Sequence, residues 1–193
     1  MIIEDGKGTG YTAQVDNTNL LYTKAVTETL LSHSSHEDGS AFGISTPMLT
    51  VTATGGRMLF IKNTSNSNNF LITDFWFNWN GGSTNYNRPC YGQLIFGDTQ
   101  PTTNITTGAA GTLNRTANTD SELTVLYWNE VGDGMTGHVA GGAAFSWCYS
   151  SSPSYYHTGG AIILGNTNTL SVNLRGEEIG EASVNILGFV IQI

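Results

Sequence analysis

Short runs in which apolar and polar residues alternate recur along most of the chain. A period of two is the side-chain period of a β-strand, and the runs are rich in β-branched and aromatic residues. Segments rich in glycine, asparagine and serine separate them, as expected for turns. The pattern predicts a short extended piece at 41–44 and strands at 48–53, 57–63, 70–80, 90–96, 122–128, 143–149, 161–164, 169–174 and 183–193. Residues 27–35 are the only candidate for a helical turn.

The strongest strand signal is residues 70–80, which read FLITDFWFNWN. Strict alternation places one apolar set, Phe70, Ile72 and Trp76, on one face and a second set, Leu71, Phe75, Phe77 and Trp79, on the other. A strand that is apolar on both faces is expected at the centre of a sandwich or at a subunit interface. Eight or more such strands without a helix predict an all-β fold, a jelly roll or a related two-sheet β-sandwich.

Two parts of the chain stand outside this strand pattern. Residues 97–121 form a long threonine-, asparagine- and glycine-rich stretch, which we interpret as a functional or interface excursion with short extended pieces. The N-terminal residues carry too few apolar side chains to build a core of their own. We therefore predict an arm and linker at 1–44, which finds its burial on the rest of the chain or on a partner, and a sandwich domain at 45–193.

Composition and charge narrow the range of partners. Only 11% of the residues are charged, against about 25% in ordinary globular chains. The net charge is −8, and the seven lysine and arginine residues are scattered singly, which argues against binding to nucleic acid. No stretch approaches the roughly 20 apolar residues of a membrane span. The N-terminus lacks a basic segment followed by an apolar one, so we expect synthesis in a cytoplasm without a signal peptide.

Candidate catalytic and metal-binding residues are few, and each has a simpler interpretation. His33 and His36 fit a solvated linker better than a metal site, and residues 129–133 fit a turn better than a calcium loop. Asp120 and Glu122 fit a solvated pair. Asp74 is the most suggestive acid, but a hydrogen bond to neighbouring backbone or a place at a sheet edge explains it without catalysis. We predict no enzyme activity, metal or cofactor.

The two cysteines, Cys90 and Cys148, fit buried thiols better than a disulfide, because a cytoplasm keeps thiols reduced. Aromatic residues in polar segments are the remaining lead. Tyr86 lies in GGSTNYNRP, and Tyr155 and Tyr156 lie in SSSPSYYHTGG, which is predicted to be a loop. Such tyrosines can stack on sugar rings, and they can equally seal a subunit interface, where tyrosine is enriched.

The N-terminal arm also carries a resemblance to a known group of proteins. Residues 3–16 read IEDGKGTGYTAQVD, and Asn19-Leu20-Leu21 and Ala25-Val26-Thr27-Glu28 follow. This pattern resembles the N-terminus of small structural proteins of tailed bacteriophages, which are associated with the virion as head decoration (cement) or head-fibre components. The resemblance covers about 45 residues, and the β-rich remainder is similar in style only.

The resemblance implies a jelly-roll-like domain that stands on the capsid surface as a homotrimer. The arm would then bind the major capsid protein or neighbouring copies by adding strands to them. Seven arm residues would carry these contacts: Ile2, Ile3, Tyr11, Val15, Leu20, Leu21 and Tyr22. Two alternatives remain open. One is a carbohydrate-binding adhesin or fibre component of the virion that uses Tyr86, Tyr155 and Tyr156, and the other is a glycan hydrolase that uses Asp74.

Overall fold

The computed structural model describes residues 2–4, 12–14, 41–81, 89–112, 119–120, 122–150 and 154–192. The chain divides into two compact units, Met1–Leu30 and Leu31–Ile193. In the first unit, β1 (Ile2–Glu4) and β2 (Thr12–Gln14) form an antiparallel pair in which Ile3 lies opposite Ala13. The other described strands belong to the second unit.

In the described part of the second unit, every regular element is a strand and no helix occurs. They are β3 (Ala41–Ser45), β4 (Leu49–Val51), β5 (Gly56–Asn63), β6 (Asn68–Gly81), β7 (Pro89–Phe96), β8 (Ile105–Thr107), β9 (Ala110–Thr112), β10 (Thr119–Asp120), β11 (Leu123–Trp128), β12 (Gly142–Ser150), β13 (Ser154–Leu164), β14 (Thr169–Gly176) and β15 (Gly180–Gln192). All paired strands run antiparallel. The predicted all-β class is confirmed.

These strands form two sheets. Sheet 1 has the order β10-β9-β3-β15-β6-β13, with β4 also paired to β15, and sheet 2 has the order β12-β7-β14-β5-β11-β8. β3 and β4 lie end to end along β15 and act as one interrupted strand. At the interruption, the backbone N–H of Thr46 donates to Val184 O, and Thr46 Oγ1 accepts from Val184 N, each at 3.0 Å.

The strand order is that of a jelly roll. With β3 and β4 counted together, sheet 1 contains the four-strand block β3/β4-β15-β6-β13, and sheet 2 contains the block β5-β14-β7-β12. Along the chain, successive strands of these blocks cross from one sheet to the other, except at the step from β7 to β12. Eight antiparallel strands in these orders are the double Greek key of the jelly roll. The predicted jelly-roll-like sandwich is therefore confirmed.

The polar stretch at 97–121 and the strand that follows it, β11, lie between β7 and β12 and widen both sheets. β8 and β11 extend sheet 2 beyond β5, while β9 and β10 extend sheet 1 beyond β3. The predicted short extended pieces are thus present, and they cover edges that would otherwise expose unpaired backbone groups.

A single apolar core lies between the sheets. Its largest fully buried side chains include Phe42, Phe60, Phe70 and Phe77, which come from three different strands and both sheets. The ring of Phe42 meets that of Phe70 edge to face, with centroids 5.5 Å apart. Fully burying each large apolar side chain contributes about 1.5–3 kcal/mol, so this shared core is the main stabilising term.

The predicted faces of the strongest strand are wrong, because a β-bulge interrupts β6. β15 pairs Leu187 with Asp74 and then Gly188 with Ile72, which leaves Thr73 as an extra residue. Side chains before and after a bulge change parity. As a result Phe70 and Ile72 share the core face with Phe75, Phe77 and Trp79, while Asp74 and Trp76 lie on the outer face of sheet 1. Without the bulge, the carboxylate of Asp74 would point into the core.

A glycine marks the same bulge on β15. A Cβ added at Gly188 would lie 2.7 Å from the Phe42 ring and closer still to the carbonyl of Leu71. The close approach of the two strands at this point therefore excludes a side chain.

The prediction that residues 150–160 form a loop is also wrong in its second half, since β13 begins at Ser154. β13 pairs His157 with Asp74 and then Ile162 with Ile72, so four residues bulge opposite Thr73. Gly159 and Gly160 occupy the left-handed region at φ 61° and 80°, which glycine adopts readily. Thr158 Oγ1 lies 2.5 Å from Ile72 O and 3.0 Å from Thr73 O. Hydrogen bonds from this hydroxyl therefore hold the bulge against β6.

Candidate binding surfaces

All seven predicted capsid-binding residues fall in the N-terminal unit. Ile2 and Ile3 lie in β1. The other five and one tyrosine of the glycan hypothesis lie outside the described residues, namely Tyr11, Val15, Leu20, Leu21, Tyr22 and Tyr86. Their roles stay predictions from the sequence.

In the sandwich, the structure brings four side chains together on the outer face of sheet 1. β13 places Tyr155 opposite Trp76 and His157 opposite Asp74. Because residues two apart on a strand share a face, this register makes a two-by-two arrangement. We call these four residues, Asp74, Trp76, Tyr155 and His157, the Asp74 patch.

The carboxylate of Asp74 lies at the bottom of the patch. Its side chain is 8% exposed, whereas that of His157 is 64% exposed and Tyr155 as a whole is 63% exposed. The hydroxyl of Tyr155 donates to Asp74 Oδ1, and His157 Nδ1 lies 2.7 Å from the same oxygen. The rings of Trp76 and Tyr155 have centroids 6.2 Å apart and planes inclined by 35°. Two exposed side chains thus reach over a buried acid.

Hydrogen bonds decide the protonation of this acid. Burial opposes ionisation of Asp74, but the hydrogen bonds from Tyr155 and His157 outweigh burial, so the pKa of Asp74 is lowered. The same hydrogen bond raises the pKa of the Tyr155 hydroxyl, because it holds the proton against the carboxylate. At neutral pH the patch therefore contains an ionised Asp74 with a fixed tyrosine donor.

Polar side chains continue the outer face beyond the patch. Asn185 lies opposite Trp76 and accepts a hydrogen bond from Ser45 Oγ at 2.7 Å. Asn78 Nδ2 donates to Ser183 Oγ at 2.9 Å. The outer face of sheet 1 next to the aromatic pair is thus lined by amide and hydroxyl groups.

Tyr156, the neighbour of Tyr155, points the other way. It is half-buried and stacks on Phe75, with centroids 5.2 Å apart and planes inclined by 23°. Together with Leu94, Phe96 and Ile162 these rings line an apolar cavity of about 440 Å³ between the sheets beside β13. The two adjacent tyrosines therefore belong to different surfaces, one polar and outward and one apolar and inward.

A second buried acid lies beside sheet 2. Asp98, which follows β7, is bound by Arg57 of β5, with Arg57 Nε 2.7 Å from Asp98 Oδ2. The backbone N–H of Gly141 donates to Asp98 Oδ1 at 2.5 Å, and the hydroxyl of Thr169 donates to Asp98 O at 2.8 Å. Burial raises the pKa of Asp98, but the bonds from Arg57 and Gly141 outweigh it and lower the pKa. These bonds join four segments of the chain.

The predicted turn at residues 129–133 is confirmed, and two of its side-chain oxygens accept backbone hydrogen bonds. Asn129 Oδ1 accepts from Val131 N at 3.2 Å, and Glu130 Oε1 accepts from Thr50 N at 2.7 Å. Among the described residues no group of three or more histidine, cysteine, aspartate or glutamate side chains is arranged to hold a metal ion. Nor does the described part of the chain include a helix long and apolar enough to cross a membrane.

Sequence reasoning missed Trp76 and His157 as members of a site. Alternation places Trp76 on an apolar face, and the local composition predicts a loop around His157. The i, i+2 spacings Asp74-x-Trp76 and Tyr155-x-His157 are the signal that could have found them, given two paired strands.

Comparisons with known proteins give little more. No protein-family model matches the chain, and no curated protein does. Among solved structures, the chain is similar to a chain from a massively expanded equine rhinitis A virus particle, a picornavirus capsid. The identity is 12% and the TM-score 0.32, over 100% of this chain and 95% of the other. At these values the likeness does not bear on function.

Proposed function

We propose that the chain is a structural protein of a tailed-bacteriophage virion that decorates the outside of the head. The N-terminal unit attaches it to the major capsid protein or to neighbouring copies, and the jelly roll stands on the surface. The observation that carries this proposal is the division of the chain into a small N-terminal unit and a separate sandwich.

The N-terminal unit has the properties of an attachment device. Its only described strands, β1 and β2, are three residues each. An isolated two-stranded pair is marginal in water at best, so it gains stability when another surface pairs with it or buries it. Adding these strands to a neighbouring sheet would both pair their backbones and bury their side chains. The resemblance of residues 3–16 to phage head proteins supports the same role.

The sandwich is proposed to have no catalytic role. Asp74 and His157 form an acid–imidazole pair, but the nearby hydroxyl of Thr158 bonds backbone carbonyls of β6. The Thr158 hydroxyl is therefore bonded to the backbone and is not a candidate nucleophile for this pair.

Co-sedimentation with undecorated capsids tests the attachment role. Ile3→Asp in the full chain is expected to abolish binding, because it puts a charge into the strand proposed to pair with the capsid. Val139→Asp is the matched control, since it makes the same change at a residue of the sandwich that is 70% exposed. Equal binding by wild type and Ile3→Asp would contradict the role of the arm, and loss in Val139→Asp alone would move attachment to the sandwich.

We also propose that the protein is a homotrimer. Light scattering on the purified chain, whose protomer mass is 20.6 kDa, measures this directly. A monomeric mass in solution together with threefold clusters on particles would mean that the capsid assembles the trimer.

A further inference from the structure

The Asp74 patch combines an exposed tyrosine and a half-buried tryptophan with hydrogen-bonding groups whose positions are fixed. Burying a carboxylate is costly unless it is compensated, and here Tyr155 and His157 supply the compensation. In return Asp74 holds the Tyr155 hydroxyl and one nitrogen of the His157 ring in place. A surface whose side chains are already ordered loses less entropy when a ligand binds.

Tyr155 supplies most of the exposed aromatic surface of the patch, and the half-buried ring of Trp76 lies beside it with centroids 6.2 Å apart. The apolar face of a pyranose ring packs on exposed aromatic surface, while the hydroxyls at its rim need donors and acceptors. The exposed edge of His157 and the amides of Asn78 and Asn185 lie on the same face of the sheet. Aromatic surface with a few placed polar groups is the usual composition of a small-molecule site.

A contact with another protein copy fits this face less well. The buried centre of a protein interface is depleted in charge and enriched in apolar surface. The face around the patch instead carries an ionised acid, an imidazole, two amides and serine hydroxyls. Of the large apolar side chains that are exposed, Tyr155 belongs to the patch, while Ile163 and Ile191 lie on strands of the same sheet beyond the bulges. Three others, Val131, Val139 and Ile179, lie in loops.

The charges near the patch select the kind of sugar. The lysine and arginine residues in the described part of the chain, Arg57, Lys62 and Arg175, all lie on strands of sheet 2. The patch itself contains an ionised carboxylate, which repels uronic and sialic acids. A neutral sugar meets no such penalty.

We propose that the Asp74 patch binds the neutral hexopyranose units of a polysaccharide, with Trp76 and Tyr155 stacking on a sugar ring and His157 bonding its hydroxyls. This site is independent of the proposed attachment through the N-terminal unit.

Calorimetric titration of the full chain tests this proposal, with cellohexaose, mannohexaose and galactohexaose as neutral probes and hexagalacturonate as the anionic one. At least one neutral probe is expected to bind, and hexagalacturonate is not. Tyr155→Ala should weaken binding about tenfold, the worth of one aromatic stacking contact. Tyr155→Phe keeps the ring and should retain most of the affinity.

Tyr91→Ala is the matched control, because Tyr91 is an exposed tyrosine on β7 of sheet 2, beside a polar depression of about 610 Å³. Its affinity for the neutral probe should equal that of the wild type. Four results would overturn the proposal: no neutral probe binds, hexagalacturonate binds as well as the neutral probe, Tyr155→Ala binds as the wild type does, or Tyr91→Ala loses binding instead. A change of oligomeric mass in Tyr155→Ala would also overturn it, by assigning the face to contacts between copies.

Discussion

Two buried acids, Asp98 beside sheet 2 and Asp74 on sheet 1, are both stabilised in the ionised form, but by different partners. Both carboxylates are almost inaccessible, and in both hydrogen bonds outweigh burial and lower the pKa. Asp98 is 1% exposed in its side chain and is paired with an Arg57 side chain that is only 12% exposed. The partners of Asp74, Tyr155 and His157, are mostly exposed.

The difference separates a structural site from a binding surface. Arg57 and Gly141 bind the carboxylate of Asp98 inside the protein, and the Arg57 side chain is itself largely buried, so a ligand has little access to this site. At the Asp74 patch the carboxylate forms a hydrogen bond with one atom of each partner, and the rest of the tyrosine and imidazole side chains stays at the surface. Burial of an acid alone therefore does not tell the two roles apart, whereas exposure of its partners does.

Removing the partner of Asp98 should have the largest effect on stability. Arg57→Ala leaves a buried charge without its counter-ion and is expected to cost about 3–5 kcal/mol. Arg175→Ala, at an exposed arginine of β14, should cost no more than about 0.5 kcal/mol. Urea unfolding of both variants measures the difference. Equal costs would show that the ion pair does not hold the segments together.

Acid should act on both sites in the same direction but more strongly at Asp98. Because both folded pKa values are lowered, their stabilisation is complete above about pH 4, where the unfolded carboxyl titrates, and is lost as pH falls through the folded pKa. Below pH 4 the urea midpoint should decrease less steeply in Asp98→Asn than in Asp74→Asn. A less steep decrease in Asp74→Asn would contradict this prediction.

Neutralising Asp74 should have a smaller effect on stability. Asp74→Asn retains an oxygen that can accept from Tyr155 but loses the charge, which we expect to cost about 1 kcal/mol. Differential scanning calorimetry at pH 7 provides the measurement. A cost as large as that of Arg57→Ala would mean that the patch is a structural site like the one at Asp98.

The smallest change is Tyr155→Phe, which removes only the hydroxyl. Loss of one donor should cost about 0.5–1 kcal/mol and raise the pKa of Asp74 toward its ordinary value. Carboxyl NMR titration reads this pKa. Thr158→Val, nearby on β13, is a control for general disturbance of the strand. An unchanged pKa in Tyr155→Phe would show that this hydrogen bond does not stabilise the ionised acid.

Most of the sandwich could be predicted from the sequence, because apolar alternation records which strands face a core. Periodicity cannot record a bulge, since the extra residue at Thr73 becomes visible only when β6 is paired with β15 and β13. For that reason alternation groups Trp76 with Phe70 and Ile72, although it lies on the opposite face of the strand. β13 was likewise missed at Ser154–Gly160, where serine, proline and paired glycines favour a loop locally and strand pairing overrides them. The Asp74 patch depends on both features.

Cryo-electron microscopy of purified phage particles tests the proposed function most directly. The proposal predicts density for the jelly roll on the outer surface of the head, in many symmetry-related copies arranged as trimers, with residues 1–30 contacting the major capsid protein or adjacent copies. Particles that lack the protein on the head, or copies attached through the sandwich with the N-terminal unit pointing into solvent, would contradict it.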